Sequence, residues 1–229
     1  MKAAVIVFPG SNCDRDVKVA LAASTGAEPF MVWHRDSELP DVDLIVIPGG
    51  FSYGDYLRPG AMAVHSPVMS EVVARARTGV PVLGICNGFQ ILTEAGLLPG
   101  VLMPNATLKF VCKDVYLKVE NNRTPFTAKY RLGQVIRIPI AHHEGSYFAD
   151  DETLAGISDR GQVALRYCQP SGEVDDDANP NGSIANIAGL FNETGTVLGL
   201  MPHPERLAES LLGGTDGKAM FDGLMEALS

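Results

Sequence analysis

The chain has 229 residues, 46% of them apolar and 20% charged, a balance typical of folded soluble domains and not of disordered ones. Its 27 acidic residues outnumber 18 Lys and Arg, for a net charge of −9, and the basic residues form no run, which argues against nucleic-acid and anionic-membrane partners. No apolar stretch approaches the roughly 18 to 20 residues that would span a bilayer, and the four cysteines form no CxxC pair of the zinc-binding kind.

Ala3 to Phe8 is a short apolar run closed by Pro9-Gly10 and reads as a first buried strand, not a signal peptide. The cysteines are accordingly expected to be reduced thiols of a cytoplasmic protein. Asp14 to Ser24 has helical periodicity and ends at Gly26. Pro29 to His34 and Leu44 to Ile47 read as strands, the second closed by Pro48-Gly49-Gly50. A helix over Ser66 to Arg77, a strand over Val82 to Ile85 and a helix over Asn87 to Ala95 follow. This alternation predicts parallel strands joined by crossover helices, with both faces of the sheet covered.

After Pro99 the texture changes. Phe110 to Glu120 and Val135 to Ile140 alternate in polarity and predict antiparallel strands. A short helix over Asp151 to Ile157 and strands over Val163 to Cys168, Ala185 to Leu190 and Val197 to Met201 are expected, then a last helix over Asp216 to Leu228. Pro170 to Gly182 reads as an exposed polar loop. The predicted class is α/β: a single domain over residues 1–229, with a doubly wound, mostly parallel sheet flanked by helices and additional antiparallel strands.

Chemistry concentrates at Gly84-Ile85-Cys86-Asn87-Gly88, where a buried strand runs into a helix through G-x-C-x-G. This is the cysteine form of a nucleophile elbow. The tight turn exposes the sulfur, the glycines let strand and helix approach, and the positive helix N-terminus favours a thiolate. An isolated cysteine is more often a buried apolar side chain, and Cys13, Cys112 and Cys168 read that way. A thiolate needs a base, and His203 follows a buried strand between Pro202 and Pro204, with Glu205 in reach to orient its ring. In open α/β sheets the strand ends that carry Cys86 and His203 converge on one crevice. The backbone N–H groups of Asn87 and Gly50 are the expected oxyanion donors.

The segments around Cys86, Pro48-Gly49-Gly50-Phe51-Ser52-Tyr53-Gly54-Asp55 and Met201-Pro202-His203-Pro204-Glu205-Arg206 together resemble the class I, triad-type glutamine amidotransferases, with a flavodoxin-like architecture. Phe8 to Asp14, Asn105 to Lys113, Ile140 to Gly145, Asn179 to Ser183 and Ala188 to Phe191 make the chain similar, over its whole length, to the glutaminase subunits of phosphoribosylformylglycinamidine synthase. The resemblance implies Cys86 as nucleophile, His203 as general base and acid, Glu205 as its orienting group, and Gly50 and Asn87 as oxyanion donors. It implies that Gln90 and the loop residues Gly49 and Phe51 face glutamine. His142, Glu144, Gly145, Ser146 and Tyr147 would grip its amino-acid end. His143 stands where the family usually has glycine, at the wall of that pocket.

The resemblance further implies a γ-glutamyl thioester intermediate and no cofactor or metal on this chain. His142 and His143 have no evident third and fourth metal partner. Ammonia would pass to an ATP-dependent synthetase subunit that holds ATP and magnesium, in a complex with a small accessory subunit. The loop Phe51 to Pro59, with Tyr53, Tyr56 and Arg58, is a candidate contact for that partner, or simply a wall of the pocket. Three alternatives stay open on the sequence: the glutaminase of another synthetase, a cysteine hydrolase of the same sheet architecture, and a binding module that has lost activity.

Overall fold

A computed structural model describes residues 1–55 and 59–229. The first half alternates strand and helix as its apolar runs require: β1 (Ala3–Val7), α1 (Asp14–Thr25), β2 (Phe30–Trp33) and β3 (Leu44–Ile47). Next come α2 (Pro59–Ala63), α3 (Pro67–Arg77), β4 (Val82–Ile85) and α4 (Asn87–Glu94). Gly26 caps α1 in the left-handed conformation (φ 71°), which a residue without Cβ adopts at little cost.

The second half adds β5 (Val101–Met103), β6 (Val111–Val119), β7 (Val135–His142), β8 (Ser146–Phe148) and α5 (Asp151–Asp159). It ends with β9 (Val163–Cys168), β10 (Ile187–Phe191), β11 (Val197–Leu200) and α6 (Lys218–Ala227). The main sheet has nine strands in the order β2-β1-β3-β4-β11-β10-β9-β6-β7. β2, β1, β3, β4 and β11 are mutually parallel. Their order is that of a flavodoxin-like doubly wound sheet, with β11 as the fifth strand. Right-handed crossovers leaving β1 and β3 in opposite directions put α1 and α3 on opposite faces. β3, β4 and β11 are buried at every residue, which is why they read as unbroken apolar runs.

From β11 outward the pairing is antiparallel. In β7 buried and half-buried residues alternate strictly, as one covered face demands. Three details differ from the sequence reading. β5 and β8 form a separate antiparallel pair, with three residues each and partners more than forty positions apart, too short to show a period. β10 starts at Ile187, because Ala185 and Asn186 both take left-handed backbone (φ 50° and 56°) and break the strand. The Pro170–Gly182 segment is not polar loop throughout: Asn181 at its end is buried and bonds inward. Among the described residues no helix is long and apolar enough to cross a membrane.

Candidate active site

Strand β4 delivers Cys86 at the first turn of α4, with φ 52° and ψ −106°. That lies outside the left-handed helical well and stores on the order of 1–3 kcal/mol of strain. It persists because its surroundings fix it. The Cys86 N–H donates to Leu200 O of β11 (2.8 Å), and a Cβ on Gly88 would stand 2.0 Å from Ile47 O, so only glycine allows α4 this close to β3. The Cys86 thiol points toward Ala141 O at 3.7 Å.

His203 leaves the end of β11 between two prolines, and its N–H donates to Pro139 O of β7 (2.9 Å). Its Nδ1 lies 2.7 Å from Glu205 Oε1, and both side chains are almost wholly buried. A carboxylate only accepts, so Nδ1 carries the proton and Nε2 is left for chemistry. Nε2 has no hydrogen-bond partner among the described residues. Burial alone would lower the His203 pKa; the negative charges of Glu205 and of a Cys86 thiolate outweigh it and hold the pKa well above its ordinary value. Gly49 marks how closely the Cys86 and His203 side chains meet. A Cβ there would lie 2.7 Å from His203 Cε1 and 3.0 Å from Cys86 Cβ.

Behind the pair lies a residue that the sequence offered only as a structural cysteine. Cys13 Sγ, one His203 ring nitrogen and one Glu205 carboxylate oxygen all fall within 4.8 Å of one another. Such a set could hold a soft metal ion. Here Arg206 Nη2 donates to Cys13 Sγ (3.2 Å), its Nε pairs with Asp16 (3.1 Å), and Glu205 is already committed to the imidazole. The arrangement is charge-balanced by the guanidinium and braces the Pro204–Leu207 turn against the start of α1. Nothing local in the sequence could reveal it, because Cys13 and Arg206 are 193 positions apart.

The loop after β3 presents Gly50 at φ 125°, a region open to glycine, and packs it on Ser11 and Asn12. The next three N–H groups are occupied: Phe51 by Gly10 O (2.9 Å), Ser52 by Asn87 Oδ1 (2.8 Å) and Tyr53 by Pro9 O (2.7 Å). The Gly50 N–H has no acceptor among the described residues, and the Asn87 N–H lies in the first turn of α4. Phe51 itself is half exposed and stacks on Phe110 (6.1 Å), at the outer rim. Tyr53 turns its hydroxyl inward, bonded to His34 Nδ1 (3.0 Å) and Ser66 Oγ (2.8 Å), which anchors the loop. Tyr56 and Arg58 lie outside the described residues.

The β7–β8 connection holds the remaining candidates. His142 is buried, with Nδ1 on Asn105 Oδ1 (3.0 Å) and Nε2 near Asn181 Nδ2 (3.5 Å). Asn105 Nδ2 donates to Lys109 O and His142 O, which fixes its oxygen as acceptor and His142 as the Nδ1–H tautomer. Burial first, and the neighbouring His203 charge second, push the His142 pKa down to about 4. Both ring nitrogens are spent on these partners, so the side chain braces the loop. Gly145 packs flat on that ring, and its N–H and carbonyl are taken by Asn105, Asn181 and Ser183. Glu144 gives its carbonyl to Gln90 Nε2 (2.6 Å). Ser146 is buried, and Tyr147 stacks on Phe89 and donates to Pro99 O (2.9 Å), which makes its ring part of the core. His143, between the buried His142 and the half-buried Glu144, is exposed to solvent.

A family profile described as a CobB/CobQ-like glutamine amidotransferase domain matches residues 1–214. The PurQ subunit of phosphoribosylformylglycinamidine synthase from Rhodopseudomonas palustris is 58% identical over 100% of this chain and 99% of its own length. The chain belongs to the PurQ family of phosphoribosylformylglycinamidine synthase glutaminase subunits. A chain of the PurLQS structure from Thermotoga maritima is 49% identical with a TM-score of 0.87, covering 100% of this chain and 99% of that one. A glutamine amidotransferase from the same organism, 13% identical with a TM-score of 0.62 over 100% of this chain and 97% of that one, shares the fold. The parallel core and its antiparallel extension are thus those of the amidotransferase family.

Proposed function

We propose that Cys86, His203 and Glu205 form the catalytic triad of a glutaminase that feeds ammonia to a synthetase subunit. The Cys86 thiolate adds to the side-chain carboxamide carbon of glutamine, and the Gly50 and Asn87 N–H groups hold the resulting oxyanion. His203 passes its Nε2 proton to the leaving nitrogen, the C–N bond breaks, and ammonia and a γ-glutamyl thioester result. Water, deprotonated by His203, adds to the thioester, and glutamate leaves with Cys86 restored as thiolate. The observation that carries this reading is the meeting of Cys86 and His203 over Gly49, with His203 Nδ1 held 2.7 Å from a buried carboxylate. Glutamine would lie between the Gly49–Phe51 loop, Gln90 and the His142–Tyr147 segment.

The partners we propose are an ATP-dependent synthetase subunit, carrying ATP and magnesium, and a small accessory subunit. The solved PurLQS structure supports this, since its 49%-identical chain is matched over nearly its whole length. The substrate of that partner would be formylglycinamide ribonucleotide. We further propose a single cytoplasmic domain over residues 1–229, in keeping with the nine-stranded sheet that draws on both halves of the chain.

Intact-mass analysis after incubation with an electrophilic glutamine analogue tests the reading. One adduct, mapped to Cys86 and blocked by excess glutamine, is expected, in the assembled complex if not in the free chain. No adduct in either would sink the assignment. Cys86→Ala should abolish glutamine use, and Glu205→Ala should lower turnover less than His203→Ala. Restored growth of a purine auxotroph separates this synthetase from another that uses the same kind of glutaminase.

A further inference from the structure

Three segments that line the site come from distant parts of the chain, and one run of hydrogen bonds, buried except at its part-buried Glu144 end, ties them together. The Ser52 N–H donates to Asn87 Oδ1 (2.8 Å), Asn87 Nδ2 donates to Gln90 Oε1 (2.7 Å), and Gln90 Nε2 donates to Glu144 O (2.6 Å). We propose that the Asn87 and Gln90 side chains are positioning residues, forming an amide relay that sets the oxyanion loop and the β7–β8 loop relative to the elbow. The proposal rests on the catalytic reading given above.

The relay has one sense only. It begins at a main-chain donor and ends at a main-chain acceptor, so each amide must present its oxygen toward Ser52 and its nitrogen toward Glu144. Turning either amide over would set N–H against N–H at one joint and oxygen against oxygen at the next. Both side chains are buried, at 1% and 7% exposure, so water does not readily substitute for a lost link.

Its placement gives it a task. Gly50, two residues before Ser52, is a glycine with wide backbone freedom, held from one side by the Pro9–Asn12 turn through the N–H groups of Phe51 and Tyr53. Asn87 holds the same loop from the other side. One residue therefore offers its own N–H as one oxyanion donor and fixes with its side chain the loop that carries the other. At the far end, Gln90 fixes the carbonyl of Glu144, in the loop expected to grip the amino-acid end of glutamine. These two bonds use one Nε2 hydrogen and one Oε1 lone pair of Gln90, so the relay fixes which way its amide faces while the side chain still lines the expected glutamine site.

The test is glutaminase kinetics of the assembled complex, with kcat expressed per site titrated by the electrophilic analogue. Cys86 alkylation by iodoacetamide, a displacement that needs no oxyanion donors, is followed alongside. Asn87→Ala should lower kcat about 10- to 100-fold, approaching the loss of one oxyanion donor, with KM changed less and the alkylation rate within about twofold of wild type. Gln90→Met cuts the relay at the next joint and should raise KM as well, because it frees the Glu144 end; it also serves if Asn87→Ala does not fold. The double variant should lose less than the product of the two single effects. Wild-type kcat per titrated site in both variants, or kcat and alkylation falling in proportion, would overturn the relay. A wild-type complex that consumes glutamine but takes up analogue at a residue other than Cys86 would instead remove the catalytic reading beneath it.

Discussion

Gly49 lies between the side chains proposed to react, Cys86 and His203, and neither can retreat. His203 is fixed by Glu205 on its ring and Pro139 on its backbone, and Cys86 by a strained turn locked to Leu200. Gly49→Ala therefore has to separate sulfur from imidazole, and a displacement near 1 Å costs roughly 100-fold in rate. A kcat reduced by about that factor, with the unfolding temperature little changed, is the expected outcome; an Ala variant with wild-type turnover would mean the pair does not react across this point. At this scale the sequence was legible where the geometry of the candidate site is set by near neighbours in the chain. The elbow glycines and the two prolines around His203 announce themselves within a few residues. Cys13, Asn105 and Asn181 did not, because each acquires its role from partners that only folding brings near. Asn181 meets Gly145 from 36 positions away, and Asn105 meets His142 from 37.

Among the elements, β7 and the connection to β8 carry a titratable group the reaction does not use directly. His142 is neutral in the folded state, with its pKa down at about 4 against 6.5 when unfolded. Above pH 6.5 both states are neutral and the group adds no pH dependence. As pH falls from 6.5 toward 4 the unfolded chain takes up a proton that the folded chain refuses, so stability is lost across that window, by at most on the order of 3 kcal/mol. Urea midpoints at pH 7, 5.5 and 4.5 should fall for the wild type. His142→Asn should start less stable at pH 7, having lost the bond to Asn105, and then fall less steeply. Parallel slopes for the two proteins would refute the assignment. The elements themselves were legible in proportion to their periodicity. The buried parallel strands and the alternating β6 and β7 stand close to their expected bounds, whereas β5, β8 and the start of β10 are set by pairing and left-handed backbone that no local apolar pattern encodes.

The site as a whole depends on contacts made by the last helix, far from the reacting atoms. α6 packs on α1 and on the Pro204–Leu207 turn that carries Glu205. The Gly217 N–H, just before α6, donates to Leu207 O (3.0 Å), the Tyr130 hydroxyl donates to Asp216 O (2.7 Å), and Ser24 Oγ donates to Asp222 (2.7 Å). Phe221 is the fully buried anchor of this helix. Phe221→Ala removes about 3–5 kcal/mol through lost transfer energy and an unfilled cavity, a large share of the ~5–15 kcal/mol available to a folded chain. For a domain of this length each kcal/mol moves the midpoint roughly 2–4 °C, so a drop of about 10 °C is expected. Glutaminase activity of the assembled complex should disappear over the same temperature range, since the turn bearing Glu205 cannot keep its place without α6. Well below the transition, kcat per titrated site should match the wild type. An unchanged midpoint would mean that α6 is an ornament on the surface; activity lost at temperatures where the fold is intact would mean that it acts on the triad directly and not through the stability of the whole.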